Sequence, residues 1–283
     1  MFKVPRIRIW IDQVDVRRKG LIMLTLLSPA KKLNMDPIDL GIPVSKPRLL
    51  DDTRELAFVA KKQTADDLKR LMHISDNLAT INYERFQAFN IEKKSNSAKP
   101  AGLAFDGDVY WGLEADSMSE DALAYAQDHL RILSGLYGVL RPMDAIQAYR
   151  LEMGTKMKNS RGKSLYEFWG DRIAHRLKAD LSGHIDSAVV NLASNEYFKA
   201  VNTKALGQPV VGAKFLNVKN GKARSLMYYA KHARGRMARW IMENQVDHAE
   251  GLRDFNSDGY SLDQKASTDQ ELVFSRPQPP TKN

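Results

Sequence analysis

Residues 117–142 read SMSEDALAYAQDHLRILSGLYGVLRP, and the predicted fold depends on how this stretch is interpreted. Ser117 and Glu120 have the spacing of a capping box, which marks the start of a helix. Apolar residues then recur at helical intervals as far as two closely spaced glycines, Gly135 and Gly138. The pattern therefore predicts a helix over about 119–133 that ends in a tight glycine turn.

The predicted turn resembles the hairpin of helix–hairpin–helix modules, in which glycines let backbone N–H groups approach a phosphate. Arg131 and Arg141 flank the turn and would add positive charge. The second glycine comes one residue late, and Pro142 falls where the second helix should run. A glycine cap followed by a plain turn is the alternative interpretation. The predicted DNA-contacting residues of the turn are Gly135, Leu136, Tyr137 and Gly138.

The rest of the chain mixes helix and strand patterns without strict alternation. We predict further helices at about 65–89, 164–181 and 229–245, and strands at 24–27, 102–105, 187–193, 210–218, 223–228 and 271–275. Asn220-Gly221 lies between two predicted strands and favours a type I′ hairpin. The fold class is therefore α+β: a single compact mixed α/β body with a helix–hairpin–helix element.

The two ends of the chain are predicted to lie outside this body, which spans residues 23–276. Residues 1–22 are basic and weakly patterned, and we expect a non-native or flexible N-terminal extension. Residues 277–283 are rich in proline, and we expect a disordered tail.

The overall composition excludes several classes of protein. The 283 residues include no cysteine, which excludes disulfides and thiolate catalysis. No run of about 18 apolar residues is present, and the first residues lack the apolar core of a signal peptide. We therefore predict an intracellular protein with no membrane association. The net charge of +9 favours a polyanionic partner.

A second basic feature lies on the helix predicted from Tyr229. Its apolar residues share one face, and its cations occupy the opposite face. This face is predicted to contact a DNA backbone, and an ordinary solvated surface is the alternative. The four cations are Lys231, Arg234, Arg236 and Arg239.

Scattered polar residues could instead form a pocket. Ser28 follows a predicted strand and precedes Pro29, which is typical of a helix start and hence of an anion site. A plain helix start explains the same residues equally well. Convergence of this set would favour an enzyme that acts on a nucleobase or nucleotide-like substrate. The candidate anion or pocket residues are Ser28, Lys31, Ser75, Asn82, Arg150, Glu152 and Ser194.

Metal and cofactor motifs are not found in the sequence. The six histidines are scattered, and the Asp171/His175 pair supplies too few ligands for a metal ion. The sequence contains no Walker loop, dinucleotide fingerprint or serine-hydrolase elbow. We therefore predict no metal site and no cofactor, and a binding protein is favoured over an enzyme.

Many segments together resemble the YaaA family of bacterial peroxide-stress proteins. The resemblance runs in order from Met23 to about Arg276. It is carried by LSPAK at 27–31, ISD at 74–76, Phe105, GDVY at 107–110, LR at 130–131, LSGLYGVLRP at 133–142, YRLEMG at 149–154, FWGD at 168–171, NLAS at 191–194, YAK at 229–231, ARG at 233–235, FN at 255–256 and GY at 259–260.

This resemblance implies a cytoplasmic protein that protects against hydrogen peroxide by keeping free intracellular iron low. It also implies DNA binding through a helix–hairpin–helix on an unusual mixed α/β fold. It supplies no catalytic residues and no protein partner. Contacts with the DNA backbone carry little sequence information, so we expect low sequence specificity.

Overall fold

The computed structural model describes residues 22–38, 43–91, 98–182 and 187–280. Its strands are β1 (Ile22–Leu27), β2 (Lys32–Leu33), β3 (Lys99–Pro100), β4 (Phe105–Asp106), β5 (Leu130–Ser134), β6 (Gly138–Leu140), β7 (Ala145–Ile146), β8 (Ser187–Asn191), β9 (Val210–Lys219), β10 (Lys222–Arg224), β11 (Ser261–Leu262) and β12 (Glu271–Pro277).

The α-helices lie between these strands. They are α1 (Leu50–Lys61), α2 (Ala65–Met72), α3 (Asp76–Ala88), α4 (Ala101–Ala104), α5 (Asp108–Leu113), α6 (Glu120–His129), α7 (Leu165–Trp169), α8 (Arg172–Asp180), α9 (Asn195–Phe198), α10 (Thr203–Leu206) and α11 (Met227–Glu243). None of the helices in these ranges combines the length and apolar composition that crossing a membrane requires.

An eight-stranded sheet forms the centre of the molecule, in the order β11-β12-β9-β8-β1-β5-β6, with β10 paired to β9. β1 pairs in parallel with both β5 and β8. Residues on both faces of β1, including Leu26 and Leu27, are fully buried. A short strand that is apolar on both faces is typical of the middle of a parallel sheet covered by helices. The predicted mixed α/β body is therefore confirmed.

The parallel strands β1, β5 and β8 direct their carboxyl ends to one edge of the sheet. From β1 the chain reaches β5 on one side and later returns to β8 on the other side. In open α/β sheets, ligands bind at such a reversal of strand order, outside the carboxyl ends. The segments that follow β1 and β8 therefore lie where a site is expected.

The predicted helix through Leu133 is wrong beyond His129. Residues Leu130–Ser134 form β5, which pairs with β1, and all five are buried. Long-range pairing overrides the helical periodicity here. The cap also differs from the prediction, because the backbone N–H of Ala122 donates to Ser119 rather than to Ser117.

The glycine turn joins two antiparallel strands, β5 and β6, rather than two helices. The predicted helix–hairpin–helix at Gly135–Gly138 is therefore wrong. Ser134 pairs with Gly138, whose φ of 71° is a left-handed conformation that suits glycine. With Pro142 two residues beyond β6, the chain has no second helix at this point.

Three other predictions have clear outcomes. The Asn220-Gly221 hairpin is confirmed, because both residues have positive φ and connect β9 to β10. The strand predicted at 102–105 is wrong, because Ala101–Ala104 form α4. The tail predicted from Pro277 does not include Pro277 itself, which pairs with Val218 at the end of β12. At that point β12 has no partner on its other side within the described residues, a position where proline is tolerated.

The helix predicted over 65–89 consists of two helices, α2 and α3, joined by three residues. His73 ends α2 in a left-handed conformation with φ of 52°. Ser75 then begins α3, and its hydroxyl accepts a hydrogen bond from the backbone of Leu78. The chain therefore contains a helix–turn–helix unit, at a place where the sequence predicts one continuous helix.

Residues 1–21 and 281–283 lie outside the described residues, so the predictions of an N-terminal extension and of a tail beyond residue 280 stay predictions.

Candidate functional site

Ser28 and Ser194 meet at the carboxyl edge of the sheet, where β1 and β8 end. The Ser28 hydroxyl accepts a hydrogen bond from the backbone N–H of Ser194 at 2.8 Å. It also donates to the Ser194 hydroxyl at 3.2 Å. No helix begins at Ser28, so the predicted helix start is wrong there. The Ser28 hydroxyl instead hydrogen-bonds Ser194, the residue immediately before α9.

Lys31, Arg150 and Glu152 form an ion-pair group at the same edge. The Lys31 ammonium lies 3.3 Å from Glu152 Oε1, and an Arg150 guanidinium nitrogen lies 3.1 Å from that same oxygen. Lys31 is largely exposed, whereas Arg150 and Glu152 are mostly buried. We call Ser28, Lys31, Arg150, Glu152 and Ser194 the carboxyl-edge cluster.

Three buried tyrosines lie beneath this cluster. The Tyr110 hydroxyl donates to the Ser28 carbonyl at 3.0 Å, and the Tyr149 hydroxyl is 2.6 Å from the Ser134 hydroxyl. The Tyr197 hydroxyl bonds to the backbone of Met153. Burial raises the pKa of all three phenols, so each stays neutral even at a pH where an exposed tyrosine ionises.

Arg85, on α3, adds a cation that the sequence analysis missed. Burial, and then the charge of nearby Arg150, lowers the pKa of Arg85. The structure shows no hydrogen bond or ion pair for Arg85 with any residue that it describes. The only signal in the sequence is the helical interval between Arg85 and Asn82, a residue already selected as a pocket candidate.

The other two pocket candidates are explained by α3 itself. Ser75 caps the helix, and the Asn82 side-chain amide donates to the Leu78 carbonyl at 2.7 Å. The Asn82 amide oxygen is buried and has no partner within the described residues. Five of the seven candidates therefore come together at the carboxyl edge, and Ser75 and Asn82 serve the helix.

The glycine turn is buried and makes its hydrogen bonds within the protein. The Tyr137 backbone N–H donates to the Ser134 hydroxyl at 2.9 Å, and the Gly135 carbonyl accepts from the Trp169 indole at 3.0 Å. A side chain at Gly135 would lie 2.1 Å from the Leu151 carbonyl oxygen. The turn is thus not the open phosphate-binding loop that the sequence predicts, and a DNA contact by its residues stays a prediction. The four buried turn residues are Gly135, Leu136, Tyr137 and Gly138.

The two arginines that flank the turn also serve the fold. Arg131 is buried and binds Asp180 at 2.7 Å. Arg141 donates three hydrogen bonds to Asp144, at 2.8, 3.0 and 3.1 Å. Since both guanidinium groups are engaged by buried carboxylates, neither is available for the predicted DNA contact.

The basic face of α11 packs against α5 and the residues that follow it. Gly235 allows this contact, because a side chain there would lie 1.8 Å from the Val109 carbonyl oxygen. Arg236 binds Glu114 at 2.9 Å, and Arg239 donates to the Glu114 carbonyl at 2.8 Å. The prediction of an open basic face is wrong for Arg236 and Arg239, whose charges are paired inside the protein.

The remaining two cations of α11 are less constrained. Lys231 is half-exposed and lies 3.6 Å from Asp108. Arg234 is partly buried, and burial lowers its pKa. Neither a hydrogen bond nor an ion pair to Arg234 occurs in the described part of the chain. DNA contact by Lys231 and Arg234 stays a prediction.

A basic groove beside α2 was not identified from the sequence. It has a volume of about 310 Å³ and is lined by Gln63, Asp67, Arg70, Leu71, Lys156 and Lys158, which we call the α2 groove. Its two lysines are exposed. The sequence contains one signal for these two lysines, an alternation along residues 151–158 that turns every second residue outward. The buried residues of this segment are Leu151, Met153, Thr155 and Met157.

Comparisons with known proteins extend over the described body. A family profile described as "Peroxide stress protein YaaA" matches residues 23–266. A UPF0246 protein of Caulobacter vibrioides is 53% identical over 257 residues, which cover 91% of this chain and 100% of that protein. A UPF0246 protein of Phenylobacterium zucineum is 51% identical over 258 residues, covering 91% and 96%.

Proposed function

The chain belongs to the YaaA family of peroxide stress proteins, and from this premise we propose that it protects bacterial DNA in the cytoplasm by binding the duplex backbone. We place the DNA contact at the α2 groove and the adjoining α2–α3 unit. This placement rests on one observation, the excess of cations over carboxylates in the groove.

The charges of the groove support this placement. Arg70, Lys156 and Lys158 face a single carboxylate, Asp67. Arg70 is bound to that carboxylate, whereas the two lysines are exposed and form no ion pair within the described residues. Neutralising a phosphate with an exposed lysine releases counterions, and this release supplies most of sequence-independent DNA affinity.

The adjoining helix–turn–helix unit adds backbone donors. Ser75, Asp76 and Asn77 are exposed at the start of α3, where the first backbone N–H groups of a helix have no partner within it. Such groups favour a phosphate. The charge of Asp76 is balanced by Lys69, whose ammonium lies 2.6 Å from the carboxylate. This unit takes the place of the glycine turn in the proposed DNA contact.

The test is DNA affinity at several salt concentrations for the full chain and two matched double variants. Lys156→Gln/Lys158→Gln removes two charges from the groove, and Lys219→Gln/Lys222→Gln removes two exposed charges from the β9–β10 hairpin. We expect the groove variant alone to lower the slope of log affinity against log salt, by about 0.9 for each lost phosphate contact. Equal slopes for the two variants would exclude the groove as the DNA site.

We also propose that the protein keeps free intracellular iron low, which limits the formation of hydroxyl radicals from peroxide. The family assignment supports a role in peroxide stress, and lower free iron is the route that we propose for it. The effect on iron is indirect, because a dedicated store needs a ligand cluster and the Asp171 carboxylate is already bound to Asn202 at 2.7 Å. Chelatable iron, measured by electron paramagnetic resonance in cells with and without the gene, tests this role. Equal iron levels would contradict it.

A further inference from the structure

We propose that the carboxyl-edge cluster, together with Arg85, binds a phosphate group carried by a nucleotide or by a nucleic-acid strand. This site is separate from the α2 groove, and the proposal does not depend on DNA binding there. Its location agrees with the general rule for parallel sheets, since β1 is flanked by β5 and β8 at the reversal of strand order.

The cations of this site outnumber the carboxylates that neutralise them. Lys31 and Arg150 share one oxygen of Glu152. Arg85 lies close enough to Arg150 for the two charges to repel each other. The other nearby carboxylate, Glu196, accepts a hydrogen bond from the Gly154 backbone at 3.0 Å. Three cations thus lie near two carboxylates, of which only Glu152 forms an ion pair within the described residues, and an anion would relieve the remaining repulsion between the cations.

Two of these cations have guanidinium N–H groups for which the described residues provide no acceptor. The Nε atom of Arg150 is buried without a partner. Arg85 is partly buried and makes no hydrogen bond or ion pair with the residues described. Buried polar groups in native proteins are nearly always hydrogen-bonded. These guanidinium donors are therefore available to the oxygens of an anion.

The donor geometry favours phosphate over a smaller anion. A guanidinium presents several N–H groups in a planar fork that matches phosphate oxygens, and an ammonium adds a compact charge. Arg85, Arg150 and Lys31 come from three separate segments of the chain. The neutral hydroxyls of Ser28 and Ser194 lie at the same edge. A tetrahedral anion has enough oxygens to accept from donors on several sides.

Glu152 competes with the proposed ligand for the same donors. Its Oε1 atom forms ion pairs with both Lys31 and Arg150 in the structure. A phosphate that binds these cations must share them with the carboxylate or displace it. Replacing Glu152 with glutamine removes the competing charge, and this should strengthen phosphate binding. A purely structural ion pair does not predict a gain in affinity.

Titration calorimetry of the full chain tests the proposal with three probes: inorganic phosphate, adenosine 5′-monophosphate, and a short single strand without a terminal phosphate. We expect Glu152→Gln to tighten binding roughly tenfold, and Lys31→Gln and Arg85→Gln to weaken it roughly tenfold. Changes seen with the first two probes identify a phosphomonoester ligand, and changes confined to the strand identify a phosphodiester. Both results support the site.

The double variant Lys219→Gln/Lys222→Gln is the control for net charge and should bind all three probes like the unmodified protein. The groove variant Lys156→Gln/Lys158→Gln should retain binding of the monophosphate even if it loses duplex DNA. Failure of the groove proposal is thus distinguishable from failure of this one.

Unchanged binding of every probe by Lys31→Gln and Arg85→Gln would overturn the site, as would weaker binding by a folded Glu152→Gln variant. Lys31 is largely exposed, so its substitution leaves the fold intact.

Discussion

Replacing Gly135 with alanine should destabilise the fold without acting on a DNA contact. The added Cβ would lie 2.1 Å from the Leu151 carbonyl oxygen and 3.2 Å from the carbonyl carbon of Glu152. An ordinary contact needs 3.4 Å or more, so the two backbone segments must separate by more than 1 Å. Backbone atoms cannot rotate away as a flexible side chain can, and the interior around this turn is closely packed.

The expected cost has two parts. Overpacking of a filled core costs about 1–3 kcal/mol, and occasionally more. The shift also disturbs the buried hydrogen bond from the Trp169 indole to the Gly135 carbonyl. Leaving such a group without its partner costs about 1–3 kcal/mol. We therefore expect a loss of about 4 kcal/mol, a large part of the roughly 5–15 kcal/mol that stabilises a typical protein.

Thermal unfolding followed by circular dichroism measures this loss. A protein of this size loses about 2–4 °C in Tm per kcal/mol, so Gly135→Ala should lower the Tm by roughly 10 °C. Gly221→Ala is the matched control, because a side chain there meets nothing within 4 Å. The control carries only the strain of its left-handed backbone, about 1–2 kcal/mol.

Two separate outcomes would contradict the expected effect of Gly135→Ala. If Gly135→Ala unfolds within about 3 °C of the unmodified protein, the close approach to Leu151 is wrong, since the predicted shift is several times larger. If the variant remains folded at low temperature but loses DNA affinity, the turn contacts DNA after all. The structure predicts unchanged affinity in the folded variant, because the turn is buried.

Three further outcomes are expected. Burial by itself would raise the pKa of Asp180, but three arginines outweigh it and hold the pKa below its ordinary value. This carboxylate therefore stabilises the fold above about pH 4 and loses its contribution as the pH falls through the lowered pKa, so a folded Asp180→Asn variant should lose less stability on acidification. Burial raises the pKa of Tyr137 and Tyr149 well above that of an exposed tyrosine. Absorbance at alkaline pH should show both ionising only when the protein unfolds, and ionisation in the native state would contradict their burial. Equilibrium dialysis with Fe²⁺ should find no stoichiometric iron, whereas one tightly bound ion per chain would revive Asp171 and His175 as ligands.

Local patterns predicted several strands of the sheet and one hairpin turn correctly. β1, β8, β9 and β12 overlap the predicted strands because their apolar, β-branched stretches suit a buried sheet. The Asn220-Gly221 hairpin follows from the tolerance of both residues for positive φ. Arg150 and Glu152 lie two residues apart, so an extended chain places both on one side, where they form an ion pair.

The errors arise where a distant segment determines the outcome. Residues 130–134 have helical periodicity, yet they form β5 because β1 lies beside them in the sheet. The cations of α11 look solvated along the helix, but Arg236 and Arg239 are paired at residues 113–117, more than 100 positions earlier. Periodicity along one helix contains no information about the neighbour that covers its polar face.

The sequence by itself determined the family, the mixed α/β class, and the residue types available for anion binding. Only the tertiary structure decided which of these residues share a site. The bond between Ser28 and Ser194 joins residues 166 positions apart, and it exists because β1 and β8 are neighbours in the sheet. Burial of the glycine turn likewise comes from Trp169 and Leu151, which pack against it from other parts of the chain. Backbone preferences act over a few residues and can be read from the sequence. Whether a charge or a turn is exposed depends on the residues that pack against it, and only the folded chain determines which residues those are.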